Sequence, residues 1–264
     1  MKKRIGIILD SLFVSKQIKD LIEFSNKSNN YKITTLIINE LDKNKGNLAS
    51  KVFSYIGRRG MNKFLSTAFF KAICKIEKIV IKRNPKFANF YDKHKLLEEN
   101  FEIINVKPLV SKSGLVYRYD NTTIKSIKNA NLDLLIRGGS GILRGEILSV
   151  CPNGVLSFHH ADNDINRGGP PGFWEVYEKN PRTGFIIQRL KEELDGGDVF
   201  YKGFNTTSWF YSLNLVKLFE IANPFLHHVI EDITSDKPKI CIKCTSPYSF
   251  PLYTMPNLYQ SLIY

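Results

Sequence analysis

The sequence has no run of eighteen uncharged apolar residues, so no membrane-spanning helix is expected. Cysteine is scarce. Cys74, Cys151, Cys241 and Cys244 among 264 residues are too few for the disulfide framework of a small secreted domain. Cys241-Ile-Lys-Cys244 has the spacing of half a zinc site, but a structural zinc needs four ligands and no second pair stands nearby. We therefore expect no metal. The glycine run Arg137-Gly-Gly-Ser-Gly141 lacks the spacing of the dinucleotide fingerprint, which argues against NAD. The basic N-terminus, Met1–Arg4, leads into an apolar stretch too short for a signal peptide. It reads as a first strand of a cytoplasmic protein.

Acidic residues are also in deficit: 25 Asp and Glu face 38 Lys and Arg, a net charge of +13. The excess is concentrated. Between Lys45 and Lys95 thirteen basic residues face two acids, Glu77 and Asp92, a net of +11. This segment reads as helical. Lys71, Lys75, Lys78 and Lys82 fall on one face, and Phe69, Ile73, Ile76 and Val80 on another. Two readings stand. One is a solvated helix packing its apolar side on the core. The other is a membrane-surface or ligand contact: anionic lipid headgroups, a sugar nucleotide or a phosphorylated carrier. No nucleic-acid motif accompanies the charge, so nucleic acid is not the expected partner. The sequence does not fix the oligomeric state.

Hydrophobic residues make up 43% of the chain, enough for a substantial core. Strand, helix and strand are expected over Arg4–Asp10, Ser15–Ser28 and Tyr31–Asn39, the opening of a parallel sheet. After the basic segment the rhythm returns. Strands are expected at Phe101–Val106, Leu132–Ile136, Gly154–Phe158, Thr183–Leu190 and Val199–Phe204. Helices are expected at Thr123–Asn129, Leu143–Val150 and Trp209–Ile233, the last with a break near Pro224. The tail, about 235–264, reads as an irregular C-terminal extension.

In open α/β sheets, ligands bind beyond the carboxyl ends of the strands. Three segments end there: Arg137–Gly141, Ser157–Asn166 and Lys191–Asp198. A histidine at such an end suits acid–base work, because imidazole titrates near neutrality. The bland alternative is a half-buried histidine satisfied by backbone. The ordered set Gly154-Val-Leu-Ser-Phe-His159, Arg167-Gly168 with Pro170, Thr183-Gly184, and Leu194-Asp195-Gly-Gly-Asp198 resembles the core of the folate-dependent formyltransferases. The resemblance covers roughly Leu132–Phe204 and leaves the basic segment without a counterpart.

The resemblance implies an α/β fold with a doubly wound, mostly parallel sheet, a Rossmann-like formyltransferase domain of residues 1–264 with a basic helical insertion at about 45–95. It implies 10-formyltetrahydrofolate as donor substrate and a small-molecule amine as acceptor. An amino sugar, linked to nucleotide, lipid or glycan, is the preferred acceptor. Only sixty residues follow Phe204, which argues against the tRNA substrate of family members that carry a further C-terminal domain.

Residue by residue, His159 and Asp195 match the family's histidine and aspartate, and Ser157 stands where the family has asparagine. Three explanations follow: Ser157 acts with a water, Asn163 or His160 takes over, or formyl transfer is lost. The resemblance assigns the donor site to Gly139, Gly141, Ile142 and Leu194. Arg167, Trp174 and Asp162 are the candidate acceptor contacts. Asp162 and Asp164 can bind an ammonium or simply close Asx turns, and Trp174 with Tyr177 can wall a site or fill a core. The His159-His-Ala-Asp-Asn-Asp164 loop also invites a metal, but the resemblance explains the histidine without one. Two other functions remain: a hydrolase on the same scaffold that releases formate, and a non-catalytic binding module using the basic segment.

Overall fold

The computed structural model describes residues 1–41, 47–162, 165, 167–193, 196–235 and 252–264. Seven strands form its central sheet: β1 (Lys3–Leu9), β2 (Tyr31–Asn39), β3 (Glu102–Val106), β4 (Leu134–Arg137), β5 (Val155–His159), β6 (Arg182–Arg189) and β7 (Asp198–Thr206). Their spatial order is β3-β2-β1-β4-β5-β6-β7. The first five run parallel; β6 pairs antiparallel with β5, and β7 pairs antiparallel with β6. The chain winds outward from β1 through β2 to β3, then returns to start β4 on the other side of β1. The carboxyl ends of β1 and β4 therefore flank the crevice where open α/β sheets take ligands.

Both faces of the sheet are covered. Helix α1 (Lys16–Lys27) and the later α6 (Tyr211–Thr234) pack Leu21, Ile22, Leu226 and Ile230 against Ile5, Ile7 and Leu9. On the other face, Ile124 and Ile127 of α4 (Asn121–Asn129) meet Ile8, Leu135 and Val155. Ile7 and Ile8 go to opposite cores because successive strand side chains alternate. The buried inner strands read as continuous apolar runs for the same reason.

Between β2 and β3 lie α2 (Leu48–Arg59) and α3 (Met61–Lys82). The inward face of α3 is Ser66, Phe70, Glu77 and Ile81. This corrects the expected apolar face: Ile76 and Val80 are exposed. Glu77 turns inward, where its carboxylate accepts from Ser212 N at 2.9 Å and from the Tyr264 hydroxyl at 2.6 Å. A carboxylate there caps the first turn of α6 and opposes its positive dipole end.

Three further expectations are corrected. Leu143–Val150 is no α-helix: Ile142–Leu143 pairs as a short strand with Val116–Arg118, and Glu146–Ser149 is one 3₁₀ turn. Gly145, at φ +82°, breaks the run between them. Helix α6 runs through Pro224 without a break. The described end of the tail is ordered: Leu252–Tyr253 pairs parallel with Arg167–Gly168, and Leu258–Ile263 forms α7, capped by Asn257 and Gln260. No helix among the described residues is long and apolar enough to cross a membrane.

Candidate active site

Beyond the carboxyl end of β4 the backbone turns through Gly138, Gly139, Ser140 and Gly141. This turn sits tight on the end of β1. Asp10, the residue after β1, accepts from Ser140 N at 2.7 Å and from Asn39 Nδ2 at 3.2 Å. A Cβ on Gly139 would stand 2.8 Å from Asp10 Oδ1, and one on Gly141, at φ +83°, would strike the Tyr117 ring at 2.6 Å. Close packing of the loop thus accounts for both glycines locally.

Arg137 ends β4 and turns into the space between β4 and β5. Its Nε donates to Gly141 O at 2.8 Å, and its Nη1 lies 3.4 Å from Ser157 Oγ. Burial pulls the guanidinium below its usual pKa, and the Asp10 charge partly offsets this. Ser157 is buried and donates its own proton to Phe158 O at 3.0 Å. A hydroxyl has one proton, so Ser157 faces Arg137 as an acceptor.

Arg137, Ser157 and His159 line one cavity of about 180 Å³, with Ile142, Gln188 and Glu193. Gln188 is opposite Ser157 in the β5–β6 pairing. Its Oε1 is buried with no hydrogen-bond partner among the described residues. A Cβ on Gly197 would come within 2.7 Å of that oxygen. Sequence reasoning passed over Arg137 and Gln188. The only signal for Arg137 was a basic residue closing an apolar strand just before a glycine loop.

His160 points elsewhere. Its ring stacks on Phe219 of α6 at 3.8 Å, and burial, with His159 and Arg137 adding to it, pushes its pKa down to about 3. A neutral, core-packed ring results. Asp162 pairs with Lys202 at 2.7 Å. Arg167 lies in the short strand that pairs with Leu252. Trp174, expected at the acceptor site, lies in the short helix α5 (Phe173–Tyr177), is buried beside Phe173 and stacks on Tyr253 at 4.7 Å. Its indole N–H donates to Gly169 O and Thr254 O at 3.2 and 3.1 Å. Trp174 borders a separate depression of about 670 Å³, with Tyr55, Arg59 and Lys63. The structure thus gathers His159, Ser157 and Ile142 in one cavity and leaves Gly139, Gly141, Arg167, Trp174 and Asp162 outside its lining. Asn163, Asp164, Leu194, Asp195, Cys241 and Cys244 lie outside the described residues. Among the described residues no group of three His, Cys, Asp or Glu is arranged to hold a metal ion.

The Thr183-Gly184 pair has a structural reason. Thr183 Oγ1 accepts from Asn214 Nδ2 at 2.8 Å, and the same amide nitrogen donates to Gly172 O at 2.8 Å. Strand β6, helix α6 and the Pro-Pro-Gly turn are tied at one point. A Cβ on Gly184 would stand 2.5 Å from Asp162 Cβ, so glycine there lets the loop after His159 lie on β6.

No protein-family model matches the chain. Its fold is shared with phosphoribosylglycinamide formyltransferase from Brucella melitensis, at a TM-score of 0.54 and 9% identity, over 90% of this chain and 98% of that one. It is shared with formyltetrahydrofolate deformylase from Burkholderia mallei ATCC 23344, at 0.54 and 10% identity, over 89% and 66%. A sugar N-formyltransferase from Shewanella sp FDAARGOS_354 gives 0.50 and 12% identity, over 95% and 76%. The architecture is therefore the Rossmann-like fold of formyltransferases.

Sequence relatives narrow this. The methionyl-tRNA formyltransferase of Malacoplasma penetrans is 27% identical over 150 residues, 48% of this chain and 47% of the relative. That of Fusobacterium nucleatum is 33% identical over 81 residues, 30% and 26%. The chain covers about half the length of the first relative and about a quarter of the second. The chain is thus similar to folate-dependent formyltransferases in fold and, over about half of its length, to methionyl-tRNA formyltransferase in sequence.

Proposed function

We propose that the chain transfers a formyl group from 10-formyltetrahydrofolate to the amino group of a small molecule, with an amino sugar as the preferred acceptor. The observation that carries this reading is the single cavity at the strand ends that holds His159, Arg137 and Ser157 on a formyltransferase fold. The cavity is smaller than the roughly 300–1,000 Å³ typical of whole-ligand sites, so it takes the reacting end of the donor and leaves the remainder outside. Gln188 Oε1, buried without a partner among the described residues, suits an N–H of a flat donor ring.

In this reading the amine nitrogen attacks the formyl carbon and the carbonyl oxygen becomes an oxyanion. Arg137 has five N–H donors, and the two bonds described above leave others for that oxygen. Ser157 holds the guanidinium in place. The bond to the folate nitrogen then breaks, and His159 supplies the proton this nitrogen needs. The surplus proton of the attacking amine passes to the Asp195 carboxylate, directly or through water. Asp195 enters on the family pattern, two residues after Glu193 of the cavity wall.

The fold shared with a sugar N-formyltransferase supports the amino-sugar acceptor. The test is mass-spectrometric detection of N-formylated product from 10-formyltetrahydrofolate with nucleotide-linked amino sugars, glycinamide ribonucleotide and methionyl-tRNA in parallel. Formylation of an amino sugar that is lost in His159→Ala is the expected result. Product from glycinamide ribonucleotide or methionyl-tRNA alone would replace the acceptor. Formate released at the same rate without any amine would make the protein a hydrolase.

A further inference from the structure

Helix α3 has a second apolar face, and it points away from the protein. Twenty-two residues at 1.5 Å each give a helix about 33 Å long. At 100° per residue, Met61, Leu65, Ala72, Ile76 and Ile79 fall within about 60° of one another. They lie on the side opposite the buried Ser66, Phe70, Glu77 and Ile81. The outward side chains are well exposed: Met61 52%, Leu65 46%, Ile76 65% and Ile79 52%, with Val80 alongside at 50%.

A row of lysines borders this stripe on one side: Lys71, Lys75, Lys78 and Lys82, one helical turn apart. None of the four forms an ion pair among the described residues. Lys78 rests its ammonium 4.8 Å over the Tyr91 ring, which leaves its charge uncancelled. Glu77, the only acid of the helix, is turned inward to cap α6. The outer surface of α3 is therefore apolar and positive, with no negative charge of its own. An exposed apolar stripe of this extent marks an interaction surface.

We propose that α3 lies flat on an anionic lipid surface, with Leu65, Ile76 and Ile79 entering the acyl boundary and the lysine row meeting the headgroups. Two features favour a lipid surface over a second copy of the chain. The row is cationic along its whole length, so a self-contact brings like charge towards like. The stripe is also a straight helical edge, the form in which an amphipathic helix sits in an interface. Basic residues near an anionic leaflet add binding energy individually.

The experiment is flotation of the full chain with vesicles of equimolar phosphatidylglycerol and phosphatidylcholine, and with phosphatidylcholine alone. Wild type is expected to float with the anionic vesicles and to stay behind with the neutral ones. Changing Lys71, Lys75, Lys78 and Lys82 together to Gln should weaken binding about thousandfold. Ile76→Ser with Ile79→Ser keeps every charge and should weaken it about hundredfold. Unchanged circular dichroism in both variants establishes that they are folded. No flotation of wild type, equal flotation with neutral vesicles, or indifference to the isoleucine changes would each overturn the proposal. So would a wild-type dimer that the isoleucine changes convert to a monomer without any vesicle binding.

Discussion

Arg137 Nη1 lies 3.4 Å from Ser157 Oγ, while Ser157 gives its only proton to Phe158 O. Ser157 thus faces a cation as an acceptor. If the guanidinium stabilises the oxyanion, removing it should cost far more than removing its anchor. Arg137→Met is expected to lower kcat about 10²–10³-fold, the usual cost of losing an oxyanion donor. Ser157→Ala loses one modest hydrogen bond and should cost about tenfold or less. Steady-state rates of formyl transfer decide it. Equal losses in the two variants would return the oxyanion role to Ser157.

His160 makes stability depend on pH. An unfolded imidazole titrates near pH 6.5. In the folded chain burial, then His159 and Arg137, hold His160 down to about 3. Above pH 6.5 the ring is neutral in both states and contributes no slope. Below it the unfolded chain binds a proton that the folded chain refuses, so stability falls by up to about 1.4 kcal/mol per pH unit, until the folded ring titrates near 3. His160→Phe keeps a ring against Phe219 and removes the titration. Urea unfolding at pH 7 and pH 5 should show wild type losing about 2 kcal/mol more than the variant. Parallel losses would mean that the ring is protonated in the fold.

Asn214 is the hub of the ties behind the site. It donates to Gly172 O and Thr183 Oγ1, and its Oδ1 accepts from Ser208 N at 3.0 Å. All of this is buried. Asn214→Ala leaves Gly172 O and Ser208 N without that partner, while Thr183 Oγ1 keeps its bond to Thr207 Oγ1 at 2.9 Å, and we expect a loss of about 2–5 kcal/mol in chemical denaturation. A loss below about 1 kcal/mol would mean that water replaces the amide.

Much of this was legible in the sequence, for identifiable reasons. Parallel strands covered on both faces read as unbroken apolar runs, so β1, β2, β4 and β5 stood out. The histidine's place at the end of β5 followed from the run before it. Helix α3 misled because it is apolar on both sides: Phe69, Ile76 and Val80 share a face as well as Phe70 and Ile81 do, and periodicity cannot tell which side meets the core. The strand at Leu252–Tyr253 was illegible because its partner, Arg167–Gly168, is far away in sequence. Trp174 and Tyr177 had two readings, and only packing places Trp174 beside Phe173 and Tyr253. Arg137 was read as the start of a glycine turn, since nothing local says that its side chain points toward β5.

Gly184 offers the most direct test of how the fold positions the site. A methyl group there would stand 2.5 Å from Asp162 Cβ and 3.1 Å from Asp162 N. The second contact is backbone, so the loop that begins at His160 must lift from β6. Asp162 also loses its fixed distance to Lys202, now 2.7 Å. Strand β6 itself does not need to move, because the backbone angles of Gly184 are open to alanine. The expected result for Gly184→Ala is therefore a split. Stability should fall by only about 1–3 kcal/mol, the range for overpacking a tight contact. Catalysis should fall about hundredfold or more, since a displacement of about 1 Å at a reacting group costs that much. Calorimetry and transfer kinetics on the same preparation separate the two effects. Full activity in a destabilised variant would show that the loop's fit on β6 serves folding and has no part in placing His159.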